Sequence, residues 1–357
     1  MSPSVSETKD AQVQEPTDSI GKLDLNLKQD NGPAYPLYLP HYDVNEKFPA
    51  TEIFEFSDRG SRADPAKPHL LGADTKVNHI SPSIGTEITG IQISQLSEEG
   101  FDELALYAAE RKVLVFRDQD FKDIGPDRQI EIAKQFGYVQ RHPTSPNVKG
   151  YPEFHIVYRD PQHDRLTFLI PANCATRTRW HIDGSYEKQT PGVTFFWILD
   201  QPDVGGDTIF ASTVEAYNRL SPEFQKRLEG LRAVHSAVEQ AETSRKLGRP
   251  VRQEPIVTEH PIVRRHPVTG EKALFVNPAF TRHIVGYKVE ESQMLLKFLH
   301  DHIAKGADFQ IRATYKPGTV VVWDNRVTIH AATGDYDIGV RRHAARLTPQ
   351  AEIPIPA

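Results

Sequence analysis

From Pro152 onward the chain breaks into short apolar runs bounded by proline or glycine, and that rhythm restricts its fold more than any other feature. The runs fall at 154–158, 193–199, 207–210, 256–263, 273–276, 309–315, 319–323 and 341–347. They are too short for helices and too many for one small open sheet, so a mainly β fold is predicted, a sandwich or barrel. Helical insertions are expected at 213–231, where Ser221-Pro222-Glu223 puts proline just inside a helix start, and at 290–303,. Without an internal repeat or a G-x-G-x-x-G after a strand, a nucleotide-binding parallel sheet is not expected.

Upstream the pattern differs. Residues 1–33 are rich in Ser, Asp, Gln and Lys and poor in aromatics, the composition of a disordered tail,. Residues 34–68 carry Tyr35, Tyr38, Tyr42, Phe48, Phe54 and Phe56 among prolines, which suits an extended arm laid over a folded body,. Residues 34–357 are therefore read as one domain with an N-terminal aromatic arm. Within it, 87–93 alternates polar and apolar residues like a half-buried strand, and a helix is expected from Ser97,. A buried strand at 112–116 and a second helix at 127–136 follow.

Composition narrows the class. A net charge of -6 gives no basic excess for nucleic acid, and Arg264-Arg265-His266 is too short to count as a patch,. His260 and His266, each beside a proline, read as turn residues. One cysteine, Cys174, excludes a disulfide framework and a cysteine-rich metal site,. The N-terminus lacks the basic and apolar pattern of a signal peptide, and no stretch approaches the roughly 18 apolar residues of a membrane span. A soluble, cytoplasmic protein without nucleic-acid or membrane partners is expected, and nothing argues against a homo-oligomer.

The chemistry concentrates at His181, Asp183 and a distant His330. His181 and Asp183 stand two apart, so in extended backbone they leave one face and could chelate one ion. Two histidines and a carboxylate can occupy one face of Fe(II) and leave the opposite positions open, the ligand set of non-heme iron oxygenases. Arg342, twelve residues past His330, could hold a carboxylate by two parallel bonds, as a 2-oxo acid would need,. Gly205-Gly206-Asp207-Thr208 reads as a turn between strands that also aims a hydroxyl donor at a ligand.

Five segments, in order, carry a resemblance: His142-Pro143, Trp180-His181-Ile182-Asp183, Gly205-Gly206-Asp207-Thr208, the stretch from Trp323-Asp324-Asn325-Arg326 to His330, and Arg341-Arg342-His343-Ala344-Ala345-Arg346. As an ordered set over residues 77–348, this resembles the taurine/alkylsulfonate dioxygenases, and the arm at 34–68 is similar to that of the fungal sulfonate dioxygenase branch. The resemblance implies a double-stranded β-helix, or jelly-roll, core and dependence on Fe(II), 2-oxoglutarate and O2. It implies that His181, Asp183 and His330 hold iron and that Thr208 and Arg342 bind the 2-oxoglutarate carboxylate remote from it. Arg346 resembles the arginine that pairs with the substrate sulfonate, His142 a substrate-contacting histidine, and Phe280 an aromatic pocket wall. Tyr186 is a further pocket-lining candidate.

Two positions depart from the taurine enzyme: Ser145 replaces a tyrosine and Arg177 an asparagine. Both fall where the substrate's amino end would be sensed, so an uncharged, anionic or bulkier organosulfonate is expected as readily as taurine. The implied reaction hydroxylates the carbon beside the sulfonate and releases sulfite, an aldehyde, succinate and CO2. Alternatives are the same iron chemistry on a sulfate ester, an aryloxyacetate or another small carboxylate, a zinc hydrolase, or a silent β-barrel binding module.

Overall fold

The computed structural model describes residues 32–160, 179–336 and 340–357. The segment 1–31, Cys174 and Arg177 lie outside the described residues, and with them the expectations placed on them. By its contacts, Pro33–Ala357 is one unit.

Ten strands, numbered in chain order, form two sheets. They are β1 (Lys76–His79), β2 (Thr86–Thr89), β3 (Val113–Phe116), β4 (His155–Arg159), β5 (Val193–Asp200), β6 (Thr208–Ser212), β7 (Gln310–Ala313), β8 (Val320–Asp324), β9 (Thr328–Ala332) and β10 (Arg342–Leu347). The larger sheet has the order β1-β2-β3-β8-β5-β10-β4, and β7-β6-β9 makes the smaller one. Pairing is antiparallel except between β2 and β3. The fold is mainly β, with a jelly-roll core and helical insertions, as the resemblance implied.

Alternation along the central strands explains why they read as unbroken apolar runs. Phe195, Trp197 and Leu199 of β5 join Leu114, Phe116, Val320, Val322, Ala345 and Leu347 in one core layer. Phe196 and Ile198 turn the other way, with Val113, Val115, Val321, Trp323 and Ala344, and meet Phe210, Ile311 and Ala313 of the small sheet. Both faces of β5 are thus covered, and each large side chain buried there contributes about 1.5–3 kcal/mol. On the outer face lie α1 (Glu98–Arg111) and α2 (Pro126–Lys134). The α1 start is set by Ser97, whose side chain accepts from the Gly100 N–H,. At its end Lys112 adopts a left-handed φ of 68° and turns the chain straight into β3.

The arm residues make specific contacts with the body. Tyr38 is buried and donates to Gln129 Oε1 at 2.9 Å. The Phe48 N–H bonds the Arg252 carbonyl at 2.7 Å. Asp58 accepts from Arg326 Nη1 at 2.5 Å.

Two local expectations change, and two further elements were not anticipated. The helix at 213–231 is two helices, Thr213–Asn218 and Pro222–Leu228, because Ser221 caps a new start and Pro222 has no N–H to continue the first,. The run 256–263 splits into Val257–Pro261, paired with Arg232–Ser236, and Val263–Arg265, paired with Lys272–Leu274. Pro261 cannot donate to a continuing ladder, and the chain changes sheets there. The helix Val238–Lys246 and the strand Thr281–Ile284 had no clear signal in the sequence. Among the described residues no helix is long and apolar enough to cross a membrane.

Candidate active site

The two histidines meet through their backbones before their side chains do anything. The His181 N–H donates to the His330 carbonyl at 2.8 Å, and the His330 N–H returns a bond to the His181 carbonyl at 3.0 Å. That bridge pins the segment 181–183 to the edge of the small sheet and brings the imidazole centroids to 4.2 Å. Asn325, in the β8–β9 turn, clamps Asp183 from both sides. Its Oδ1 accepts the Asp183 N–H at 3.1 Å, and its Nδ2 donates to the Asp183 carbonyl at 2.9 Å. The His330 ring is oriented by packing: Phe210 stacks on it at 5.5 Å and Trp323 lies at 5.1 Å.

The donor atoms face one another. Asp183 Oδ1 lies 3.5 Å from His181 Nε2 and Oδ2 lies 3.7 Å from His330 Nε2. His181 Nδ1 is 3.0 Å from the Arg179 carbonyl, which can only accept, so the proton is on Nδ1 and the Nε2 lone pair is free,. A carboxylate oxygen and an imidazole lone pair at that distance repel unless a cation lies between them. One ligand atom from each of the three residues falls within 4.8 Å of the others. Bonds of about 2.1 Å at right angles would need separations of about 3 Å, so the donors would draw together around an ion, and two imidazoles with a carboxylate are the donor set that iron takes. Burial holds His330 neutral, well below the usual histidine range, with the neighbouring His181 adding to the effect.

Beside this set lie three nitrogen-rich side chains. Arg346 Nη1 is 2.8 Å from both Asp183 oxygens, and its Nη2 is 2.6 Å from His155 Nδ1. Burial pushes the Asp183 carboxyl up, but the Arg346 guanidinium outweighs it and holds it at about 2. His155 and Arg346 are direct cross-strand partners of β4 and β10. The His142 ring meets His155 edge to face at 4.7 Å. Its Nδ1 accepts the N–H groups of Thr144 and Ser145 at 3.2 and 3.0 Å, so Ser145 acts here through its backbone.

Further along the same interior, Thr208 Oγ1 bonds Tyr315 Oη at 2.7 Å, and the Arg342 guanidinium lies 5.9 Å over the Tyr315 ring. Arg342 Nε donates to the Gly206 carbonyl at 3.0 Å. Gly206 has φ +71°, and a Cβ there would stand 3.1 Å from Arg342 Cδ and Nε, so glycine lets the backbone reach the arginine,. Burial pushes the Tyr315 hydroxyl up to about 12, which keeps it a neutral donor. Thr208 and Phe210 share a face of β6, and Phe210 pairs with His330, so this group lies along the strand direction from the histidines,.

The Taurine catabolism dioxygenase TauD, TfdA family matches residues 76–348. The chain belongs to that family. It is 49% identical over 333 residues to an Alpha-ketoglutarate-dependent dioxygenase, cnsM, of Penicillium expansum, covering 92% of each chain. To the Alpha-ketoglutarate-dependent sulfonate dioxygenase of Saccharomyces cerevisiae it is 41% identical, over 94% of this chain and 82% of the other. A crystal structure of a putative alpha-ketoglutarate-dependent taurine dioxygenase from Burkholderia xenovorans superposes with a TM-score of 0.65 at 30% identity, covering 79% of this chain and 94% of that one.

As a TauD, TfdA family member the chain is an Fe(II)- and 2-oxoglutarate-dependent dioxygenase, and O2 is its other co-substrate. Membership leaves the zinc-hydrolase and silent-module alternatives without support. Of the residues singled out from the sequence, His181, Asp183, His330, Arg346 and His142 converge, and Thr208 and Arg342 form the second group. Tyr186 and Phe280 pack on each other at 5.0 Å in a small cluster with Ala237 and Ile256, and Tyr186 Oη donates to Gln240 at 3.2 Å. His155, Tyr315 and Asn325 were not singled out for the site. Cross-strand register reveals His155, whereas Tyr315 and Asn325 stand in connections between strands and show only through their bonds to Thr208 and Asp183.

Proposed function

We propose that this dioxygenase hydroxylates the carbon next to the sulfur of a small organosulfonate. The observation that carries the reading is the placement of Arg346: on the same face of β10 as Arg342, with its guanidinium on the carboxylate of the iron-ligand set. An anion held at Arg346 has its adjacent carbon beside that set, the positioning on which much of an enzyme's advantage rests. The name of the yeast relative supports a sulfonate as that anion.

In this reading His181, Asp183 and His330 hold the iron, and Thr208 and Arg342 take the 2-oxoglutarate carboxylate remote from it. Bound iron with 2-oxoglutarate and O2 supplies the oxidation, in which the keto acid leaves as succinate and CO2 and one oxygen atom enters a substrate C–H bond. Arg346 and His142 fix the sulfonate, so the carbon bearing it is the one presented. The resulting 1-hydroxysulfonate loses its hydroxyl proton as the C–S bond breaks, the electron pair leaves with sulfite, and an aldehyde remains. Phe196 and Tyr315 flank the Arg342 guanidinium at 5.8 and 5.9 Å and shield its ion pair from water,.

The test is protein reconstituted anaerobically with Fe(II), exposed to O2 with a panel of alkyl sulfonates and sulfate esters, with succinate, sulfite and sulfate read together. Matched succinate and sulfite are expected. Succinate with sulfate moves the substrate to the esters, and succinate with neither overturns the desulfonation.

A further inference from the structure

Sequence alone gives His155 no role, but two hydrogen bonds fix what it and His142 can offer. A guanidinium cannot accept, so Arg346 Nη2, 2.6 Å from His155 Nδ1, donates to it,. The backbone N–H groups of Thr144 and Ser145 likewise occupy His142 Nδ1. Both rings are neutral: burial, then Arg346, holds His155 well below the usual histidine range and His142 at about 3. In each ring the proton is therefore on Nε2. Among the described residues neither Nε2 is bonded to a protein group, and neither is sealed away from the site as a buried unpartnered atom. Two N–H donors stand free beside the Arg346 guanidinium.

We propose that His155 is a specificity-determining residue: with His142 and Arg346 it forms a cradle of N–H donors, one cationic and two neutral, that binds all three oxygens of an R–SO3 monoanion, sulfonate or sulfate monoester. This rests on the substrate reading given above and deepens it. The β4–β10 register supplies the geometry, since paired residues project side by side from one face,. Two features select the ligand. A carboxylate has only two oxygens and leaves one donor unpaired in a buried site. A dianion such as a phosphonate brings more charge than one guanidinium, already shared with Asp183, can balance.

The test is calorimetry of anaerobic protein loaded with Fe(II) and 2-oxoglutarate, titrated with 1-pentanesulfonate, pentyl sulfate and hexanoate. Wild-type protein is expected to bind both sulfur anions more tightly than hexanoate. His155→Leu is expected to weaken the sulfur anions ~10- to 100-fold and hexanoate less than about threefold. His155→Gln keeps an acceptor for Arg346 and a donor for the ligand, and should restore sulfonate affinity to within about fivefold of wild type. Unchanged sulfonate affinity in His155→Leu overturns the proposal. So does an equal loss for sulfonate and hexanoate, which would make His155 only a support for Arg346. Pentanesulfonate bound through His155 but released without sulfite would overturn the desulfonation reading and leave the cradle standing.

Discussion

Asp183 and Asp324 are both buried, and each is met by an arginine and by histidine, but their surroundings are completed differently. Asp324 is saturated with donors. Its Oδ1 accepts the N–H and Nε of Arg326 at 3.0 and 2.8 Å, and its Oδ2 accepts Arg326 Nη2 at 2.6 Å and His266 Nε2 at 2.9 Å. His266 Nδ1 accepts two backbone N–H groups, so its proton is on Nε2 and points at the carboxylate,. Asp183 has one arginine amino group and, toward His181, a lone pair facing a lone pair. A saturated carboxylate locks structure, and an unsaturated one waits for a cation. Glu187 marks a third condition: its carboxyl bonds the Gln140 amide at 2.9 Å, and burial pushes it up to about 7.

The contrast breaks first at the histidines. His181→Ala should lower substrate-dependent succinate formation by more than about a hundredfold, since ligand loss exceeds the effect of losing an outer partner. Wild-type rates in that variant would remove His181 from the iron set. Next in size, Asp324→Asn leaves Arg326 and His266 without their shared carboxylate and should cost ~3–5 kcal/mol in urea unfolding. Asp183→Asn should cost less than about 2 kcal/mol and should abolish the rise in Tm expected when Mn(II) is added to the wild type. Equal stability losses in the two variants would erase the distinction drawn between the carboxylates.

Glu187 sharpens it through pH. Its folded value, about 7, lies above the ordinary glutamate value of 4.5, so its contribution to stability is full below about 4.5 and is lost as pH rises through 7,. Glu187→Gln should therefore match wild type at pH 4 and exceed it by about 3 kcal/mol at pH 8, measured by urea unfolding at both. No gain at pH 8 would mean that the ionised carboxylate has a partner. The smallest effect is expected at Tyr315→Phe, which loses one bond to Thr208. KM for 2-oxoglutarate should rise about two- to tenfold with kcat little changed. An unaltered KM would separate Thr208 from the co-substrate.

What the sequence made legible follows from range. His181 and Asp183 are two apart, so their shared face can be written down without a structure, and Arg342 and Arg346 likewise. Core strands such as β5 and β8 were legible because four to eight apolar residues in a row carry their own signal. His155 was not, since its meaning lies in being opposite Arg346 across β4 and β10, and register cannot be read from one strand,. His266 looked like a turn residue beside Pro267, yet it is buried against Asp324, a partner far away in the chain. The split at Pro222 was visible in the residues, since Ser221-Pro222-Glu223 marks a helix start inside the span expected as one insertion,.

The reciprocal backbone bonds between His181 and His330 also bear on how such a chain can change over evolutionary time. Because the two main chains hold each other directly, the spacing of the histidines does not depend on the length of chain joining them. The helices Thr213–Asn218, Pro222–Leu228, Val238–Lys246 and Val289–Lys305 all lie within that connection. These helical stretches can lengthen, shorten and diversify while the metal-binding corner stays where it is.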